Sequence, residues 1–157
     1  MDKELEQLNE LKQRFDYMFH GPHIGLDIYR GWLSDFSNVC EAIDALLGDD
    51  KRGFRWRQAK EKYGFARYYF QTDAVHPMRL SISDGKGVHE ITHGLEGHEI
   101  EQAITKICND AEQASSTKCI VCGDPAQIKS YGGWAICACE KHSPDVPGDH
   151  LKRAVIK

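Results

Sequence analysis

Two periods divide this chain. Over residues 3–19, Leu5, Leu8, Leu11, Phe15, Met18 and Phe19 recur every three or four positions, the spacing of a single apolar stripe on a helix. That stripe is expected to pack on the body of the protein, because two heptads are short for a dimer seam. His20-Gly21-Pro22-His23 then breaks the helix. The two histidines stand three apart, but a Gly-Pro loop is a poor rigid platform for metal. A second helix follows Gly31-Trp32, with Ser34 or Asp35 as its cap and Phe36, Val39, Cys40, Ile43, Leu46 and Leu47 as its apolar face. Gly48 stands where a glycine would end it. A third runs over residues 97–116, marked by Ile100, Ala103, Ile104, Ile107, Cys108, Ala111 and Ala114, with Leu95 just before it.

Between the second and third helices the period falls to two. Phe54-Arg55-Trp56-Arg57-Gln58 and Phe65-Ala66-Arg67-Tyr68-Tyr69-Phe70 read as two strands joined near Lys62-Tyr63-Gly64. Met78–Ser83 and Val88–His93 form a further hairpin across Asp84-Gly85, a strong turn signal between alternating apolar residues. The pattern predicts an α+β fold of three helices with β-hairpins. Ser143-Pro144-Asp145-Val146-Pro147-Gly148 ends regular structure, and the basic segment from His150 is expected to be mobile. The boundaries that follow are a body over 1–116, a small unit over 117–143 and a tail over 144–157. There is no internal repeat.

Composition changes this picture little. Charged residues make up 28% and hydrophobic ones 41% of the 157 positions, ordinary for a soluble globular protein. No apolar run approaches the roughly 18 residues of a membrane span, and the charged first fifteen residues lack the apolar centre of a signal peptide. The expectation is therefore a cytosolic protein with reduced cysteines and no membrane partner. Charge is more informative. The net charge is −4, yet the segment from Lys51 to Phe70 is +6 and the rest sums to −10. Within that segment Arg55, Trp56, Arg57, Lys60, Lys62 and Arg67 interleave cations with aromatics, a composition that could grip phosphates and stack bases. The plainer reading is a sheet with one buried and one solvated face.

The strongest chemistry lies near the carboxyl end. Cys119-Ile120-Val121-Cys122-Gly123, a spacer of 16 residues, and Cys139-Glu140-Lys141-His142 place a C-x2-C pair and a C-x2-H pair at tetrahedral zinc spacing. Gly123 suits a tight knuckle whose N–H groups turn towards sulfur. Cys137 is an alternate for the third ligand, and the repeated x2 spacing favours Cys139. Four protein ligands predict one structural zinc ion, in a knuckle of zinc-ribbon or treble-clef type. Cys40 lies on an apolar helix face, where a small core residue is expected.

His89-Glu90-Ile91-Thr92-His93 also matches the HExxH signature of zinc metalloproteases. That chemistry needs both histidines on one helix face, with the glutamate polarising a zinc-bound water. The upstream Asp-Gly turn predicts a strand instead, on which His89 and His93 stand roughly 13 Å apart, too far to share an ion. His98, Glu101 and Asp110 are the remaining third-ligand candidates, and none has a diagnostic spacing.

Three blocks together resemble a group of small proteins, without an assigned activity, encoded by tailed phages and prophages. They are Gly31-Trp32; then Lys60-Glu61-Lys62-Tyr63-Gly64-Phe65-Ala66-Arg67-Tyr68-Tyr69, similar to that group's KEKFGxLRFY-like block; and Cys119, Cys122, Gly123, Trp134, Cys139 and His142. The helix before the knuckle, with Glu112 and Ser115, is similar too. The chain departs from the group in Tyr63 for Phe, Ala66 for Leu, and the Met78–His93 insertion that holds HExxH. The resemblance implies the zinc ligands and a working life in the bacterial cytoplasm; it supplies no activity, because the group has none assigned. The expectation is a non-enzymatic accessory protein that binds a host protein, for example to block a defence or regulatory system. A nucleic-acid module acting through residues 51–70 and a hydrolase using His89, Glu90 and His93 are the alternatives.

Overall fold

The computed structural model describes residues 2–73 and 98–157 with their side chains, and the backbone alone of residues 78–83 and 88–93. Among the described residues there are four α-helices and seven strands, so the fold is α+β with one helix more than the apolar periods predict. The helices are α1 Lys3–Arg14, α2 Leu33–Leu47, α3 Glu99–Ser115 and α4 Asp149–Ala154. The strands are β1 Gly25–Leu26, β2 Arg55–Lys62, β3 Phe65–Gln71, β4 Met78–Ser83, β5 Val88–His93, β6 Ile128–Tyr131 and β7 Trp134–Cys137. None of the described helices is long and apolar enough to cross a membrane.

α1 buries Leu8 and Leu11 against the body, as its stripe predicts. It is shorter than expected: after Phe15 the backbone tightens into a 3-10 turn over Asp16–Phe19, which still sinks Met18 into the core. Its start is held by Asp2, whose carboxylate accepts the Leu5 N–H at 3.2 Å and pairs with Arg30. α2 also differs at its start. A 3-10 turn over Arg30–Trp32 feeds directly into it, and neither Ser34 nor Asp35 caps it through a side chain. Phe36, Val39, Cys40, Ile43 and Leu47 are buried on one face, while Leu46 lies at its border, and Gly48 ends the helix at φ +62°.

β2 and β3 pair antiparallel, with Lys62 opposite Phe65, and β1 adds in parallel along the other edge of β2. The linking residues Tyr63 and Gly64 both have positive φ, at 55° and 86°, the backbone of the tight turn that matches strand twist. One sheet face meets α2. There Phe36 lies 5.3 Å from Trp56 and 5.1 Å from Tyr68 between ring centres, and Phe54 stacks on Phe70. β3 would otherwise expose an unpaired edge. α3 covers it: Ser115 Oγ accepts the Ala66 N–H at 2.8 Å and Glu112 Oε1 accepts the Tyr68 N–H at 3.0 Å.

β4 and β5 pair antiparallel with Ser83 opposite Val88, the hairpin its alternation predicts; the Asp84-Gly85 turn lies outside the described residues. The tail corrects an expectation. It is not loose. Val155 forms an antiparallel bridge to Tyr29, and the Ile156 N–H donates to the Ile28 carbonyl at 2.9 Å. His150, Ala154 and Ile156 are all buried. The basic residues hid this anchor, because the apolar positions that dock are too few to show a period.

Candidate metal centre

The segment after α3 folds back on itself around Cys119. The Gly123 N–H donates to the Cys119 carbonyl at 2.8 Å, closing a tight turn that requires φ +81° at Gly123. β6 and β7 form a further hairpin, in register Ile128 to Cys137, and the Ile120 N–H donates to the Cys137 carbonyl at 2.9 Å. Beyond β7, a 3-10 turn over Glu140–His142 superposes positions three apart. This brings His142 back over Cys139, with its N–H on the Cys139 carbonyl at 3.0 Å.

These turns converge four donor atoms. The Sγ atoms of Cys119, Cys122 and Cys139 and a ring nitrogen of His142 all lie within 4.8 Å of one another. Cys122 Sγ is 3.8 Å from Cys139 Sγ, and His142 Nδ1 is 3.7 Å from Cys119 Sγ and 3.2 Å from Cys139 Sγ. A tetrahedral ion with thiolate and imidazole bonds of ordinary length separates sulfurs by about 3.8 Å and sulfur from nitrogen by about 3.6 Å. A disulfide would need about 2.05 Å. The group therefore has the size and the soft-donor chemistry to hold a metal ion. Cys119 is buried and Cys122 exposed. Burial works to raise the Cys119 thiol pKa, but the N–H groups of Cys139, Cys122 and Val121 outweigh it and hold the thiol below its ordinary value. Cys122 is pushed up to about 12, by burial first and by the neighbouring Cys119 as well.

Cys137 stands apart. It ends β7, and its Sγ donates to the Ser116 carbonyl at 3.3 Å. Burial pushes its thiol up to about 11, and those of Cys40 and Cys108 up to about 12. These three thiols are packing groups.

The body grips the knuckle through the start of α2. The Gly31 N–H donates to the Ile120 carbonyl at 2.9 Å, and Trp32 Nε1–H donates to the Lys118 carbonyl at 2.9 Å. Lys118 Nζ in turn reaches both Asp35 oxygens at 2.7 and 2.8 Å. A Cβ on Gly31 would fall 1.8 Å from the Cys119 carbonyl oxygen, and one on Gly123 would fall 2.9 Å from the Gly31 oxygen. Two glycines thus let two backbones touch. Sequence reasoning places Gly31 and Trp32 only at a helix start; their bearing on the knuckle is a contact across roughly ninety positions that no local period can report.

The other candidate residues are dispersed. Trp56 is 1% exposed in the core and so cannot stack on a base; the same residue satisfies the two-residue period of a buried strand face. Arg55 lies 3.9 Å from Asp73, Arg57 donates to the Pro22 carbonyl, and Arg67 lies 3.7 Å from Glu112. Arg52 pairs with Glu101. Lys60 and Lys62 instead sit over the rings of Tyr69 and Tyr63. His89, Glu90 and His93 lie on β5, a strand and not a helix, and their side chains fall outside the described residues. Glu101 is taken by Arg52, and Asp110 pairs with Lys106.

Comparison of this chain with protein-family models, with curated proteins and with solved structures finds no match.

Proposed function

We propose that this chain is a non-enzymatic binding module held together by one structural zinc ion, and that it engages a protein of a bacterial host, as the phage and prophage proteins its sequence resembles would. One observation carries the reading: three sulfurs and one imidazole nitrogen converge within 4.8 Å of one another, two of their separations, 3.8 and 3.7 Å, lying near the edge lengths of a tetrahedral site. Four protein ligands leave no open position for water or substrate, so the ion's role is to close the knuckle and not to polarise a bond. The 51–70 segment supports a protein partner over nucleic acid. Its arginines are largely engaged within the fold, whereas strong nucleic-acid binding needs roughly six to ten phosphate contacts. The finer zinc-ribbon or treble-clef assignment belongs to the same proposal, supported by a knuckle, a hairpin and a C-x2-H turn that bring four donor atoms together.

Metal analysis of the purified chain should find one zinc per molecule. Cys119→Ser should lose it and Cys137→Ser should keep it. Captured on a resin, the intact chain should retain a discrete protein from bacterial lysate that Cys119→Ser does not. Equal metal content in the two cysteine variants would refute the ligand set, and equal capture by intact and Cys119→Ser protein would refute the zinc-dependent module.

A further inference from the structure

The turn between β2 and β3 and the turn between β6 and β7 lie side by side. Ile128 of β6 seats against Gly64, where an added Cβ would come within 3.0 Å of it. Together they frame a cleft of about 350 Å³ lined by Glu61, Lys62, Tyr63, Gly133, Trp134 and Ala135. Tyr63 is 68% exposed and Trp134 is 48% exposed. Exposed Tyr and Trp are the residues that most often anchor protein interfaces. Trp134 is also fixed in place: His150 of α4 meets its ring edge-on at 6.2 Å, and Gly148 lies under it.

Tyr63 adds an independent observation. It holds φ +55°, a left-handed backbone that is disfavoured for a side chain with a Cβ and that glycine or asparagine would tolerate better. Its ring gains little burial in return. A strained, exposed aromatic at a cleft mouth is therefore not explained by packing. The charge beside it is positive. Lys62 Nζ lies 5.3 Å from the Tyr63 ring centre and Lys60 Nζ lies 5.7 Å from that of Tyr69, and neither lysine pairs with a carboxylate among the described residues. Glu61 also lines the cleft, with its carboxylate engaged by the Gly64 N–H at 2.8 Å.

We infer that this cleft is the docking surface for an extended acidic segment of a partner protein, with an apolar side chain seated between Tyr63 and Trp134 and carboxylates against Lys62 and Lys60. The inference rests on the binding-module reading and assigns that module its contact surface. Charge complementarity selects an anionic occupant, and two lysines are too few for a nucleic-acid strand, whose grip needs many more phosphate contacts. Two large aromatics flanked by cations suit a short peptide stretch with a central anchor and a polar rim.

The test uses the full zinc-loaded chain and a fluorescent peptide of repeating Glu-Glu-Leu units, with its Lys-Lys-Leu counterpart and an oligo-dT strand as competitors, read by anisotropy. The acidic peptide should bind and its lysine counterpart should not. Tyr63→Gly removes the ring from a backbone glycine prefers, so it should keep the zinc and the melting temperature while weakening the peptide about tenfold. Lys62→Glu and Trp134→Ala should weaken it comparably, and Lys106→Gln, on the far helix α3, should leave it unchanged. Peptide affinity indifferent to Tyr63→Gly and Lys62→Glu would overturn the assignment. Oligo-dT binding more tightly with the same residue dependence would overturn it in favour of nucleic acid. If the lysate protein captured by the intact chain is held equally by Tyr63→Gly, this surface fails while the module reading stands. If the peptide binds as expected but no lysate protein is ever captured, the surface stands and the host-protein reading fails.

Discussion

Gly31 has no side chain, and the knuckle depends on that. With the Cys119 oxygen 1.8 Å from where a Cβ would sit, and backbone on both sides of the clash, Gly31→Ala cannot be absorbed by a rotamer change. We expect it to cost about 3 kcal/mol in urea unfolding, the upper end for overpacking, and to raise the zinc lost on dialysis. A variant as stable as the parent would show that the two backbones can part freely. At this scale the donor group was legible: Cys119, Cys122, Cys139 and His142 announce themselves by number and spacing. The choice against Cys137 rests on where β7 ends and which way its last thiol faces, which spacing suggests but geometry decides. Gly31 was not legible, because what forbids its side chain lies on a segment far along the chain.

Helices and strands in this molecule complete one another's hydrogen bonds. Glu112 and Ser115 stand one turn apart on α3 and receive alternate N–H groups of β3. Glu112→Ala would leave the buried Tyr68 N–H unpaired, and we expect a loss of about 2 kcal/mol. Glu112→Gln keeps an oxygen acceptor and should cost distinctly less; equal losses in a denaturant titration would disprove the edge-covering role. α4 works through a different group. His150 is 1% exposed, accepts the Gly148 N–H on Nδ1 at 3.2 Å, and has its pKa lowered by burial against the weaker pull of Asp149. The unfolded chain binds this proton more readily, so stability is full above about pH 6.5 and falls as pH drops below it. A His150→Phe variant should lose that acid sensitivity while the parent keeps it in thermal scans from neutral to mildly acid pH. The periodic elements α1, α2, α3 and the β2–β3 hairpin could all be read from apolar spacing. α4 could not: it is too short to build a period, and its anchor is a histidine among cations.

Across the described residues, the Cys119–His142 donor group, the aromatic core, α1 and α4 pack together. Trp32 belongs to the core and also donates to Lys118 beside the first ligand. Trp134 follows the knuckle hairpin and meets α4. Structural zinc contributes on the order of 10 kcal/mol in isolated finger peptides, and an ion held by the proposed site would tie that energy to the clasp at Gly31. Removing the metal with a chelator should lower the melting temperature of the entire domain in one cooperative transition. A transition that keeps its midpoint on protein shown to be metal-free would contradict this. The α+β class and the Cys/His donor group could both be reached from residues alone, while the joining of body, knuckle and tail could not, since it is made by contacts between distant positions. The Ile156 N–H on the Ile28 carbonyl has a consequence for synthesis. A ribosome releases Ile28 and Tyr29 more than a hundred residues before Val155 and Ile156, so the backbone groups those two residues meet must wait, uncovered, until α4 has emerged to shelter them.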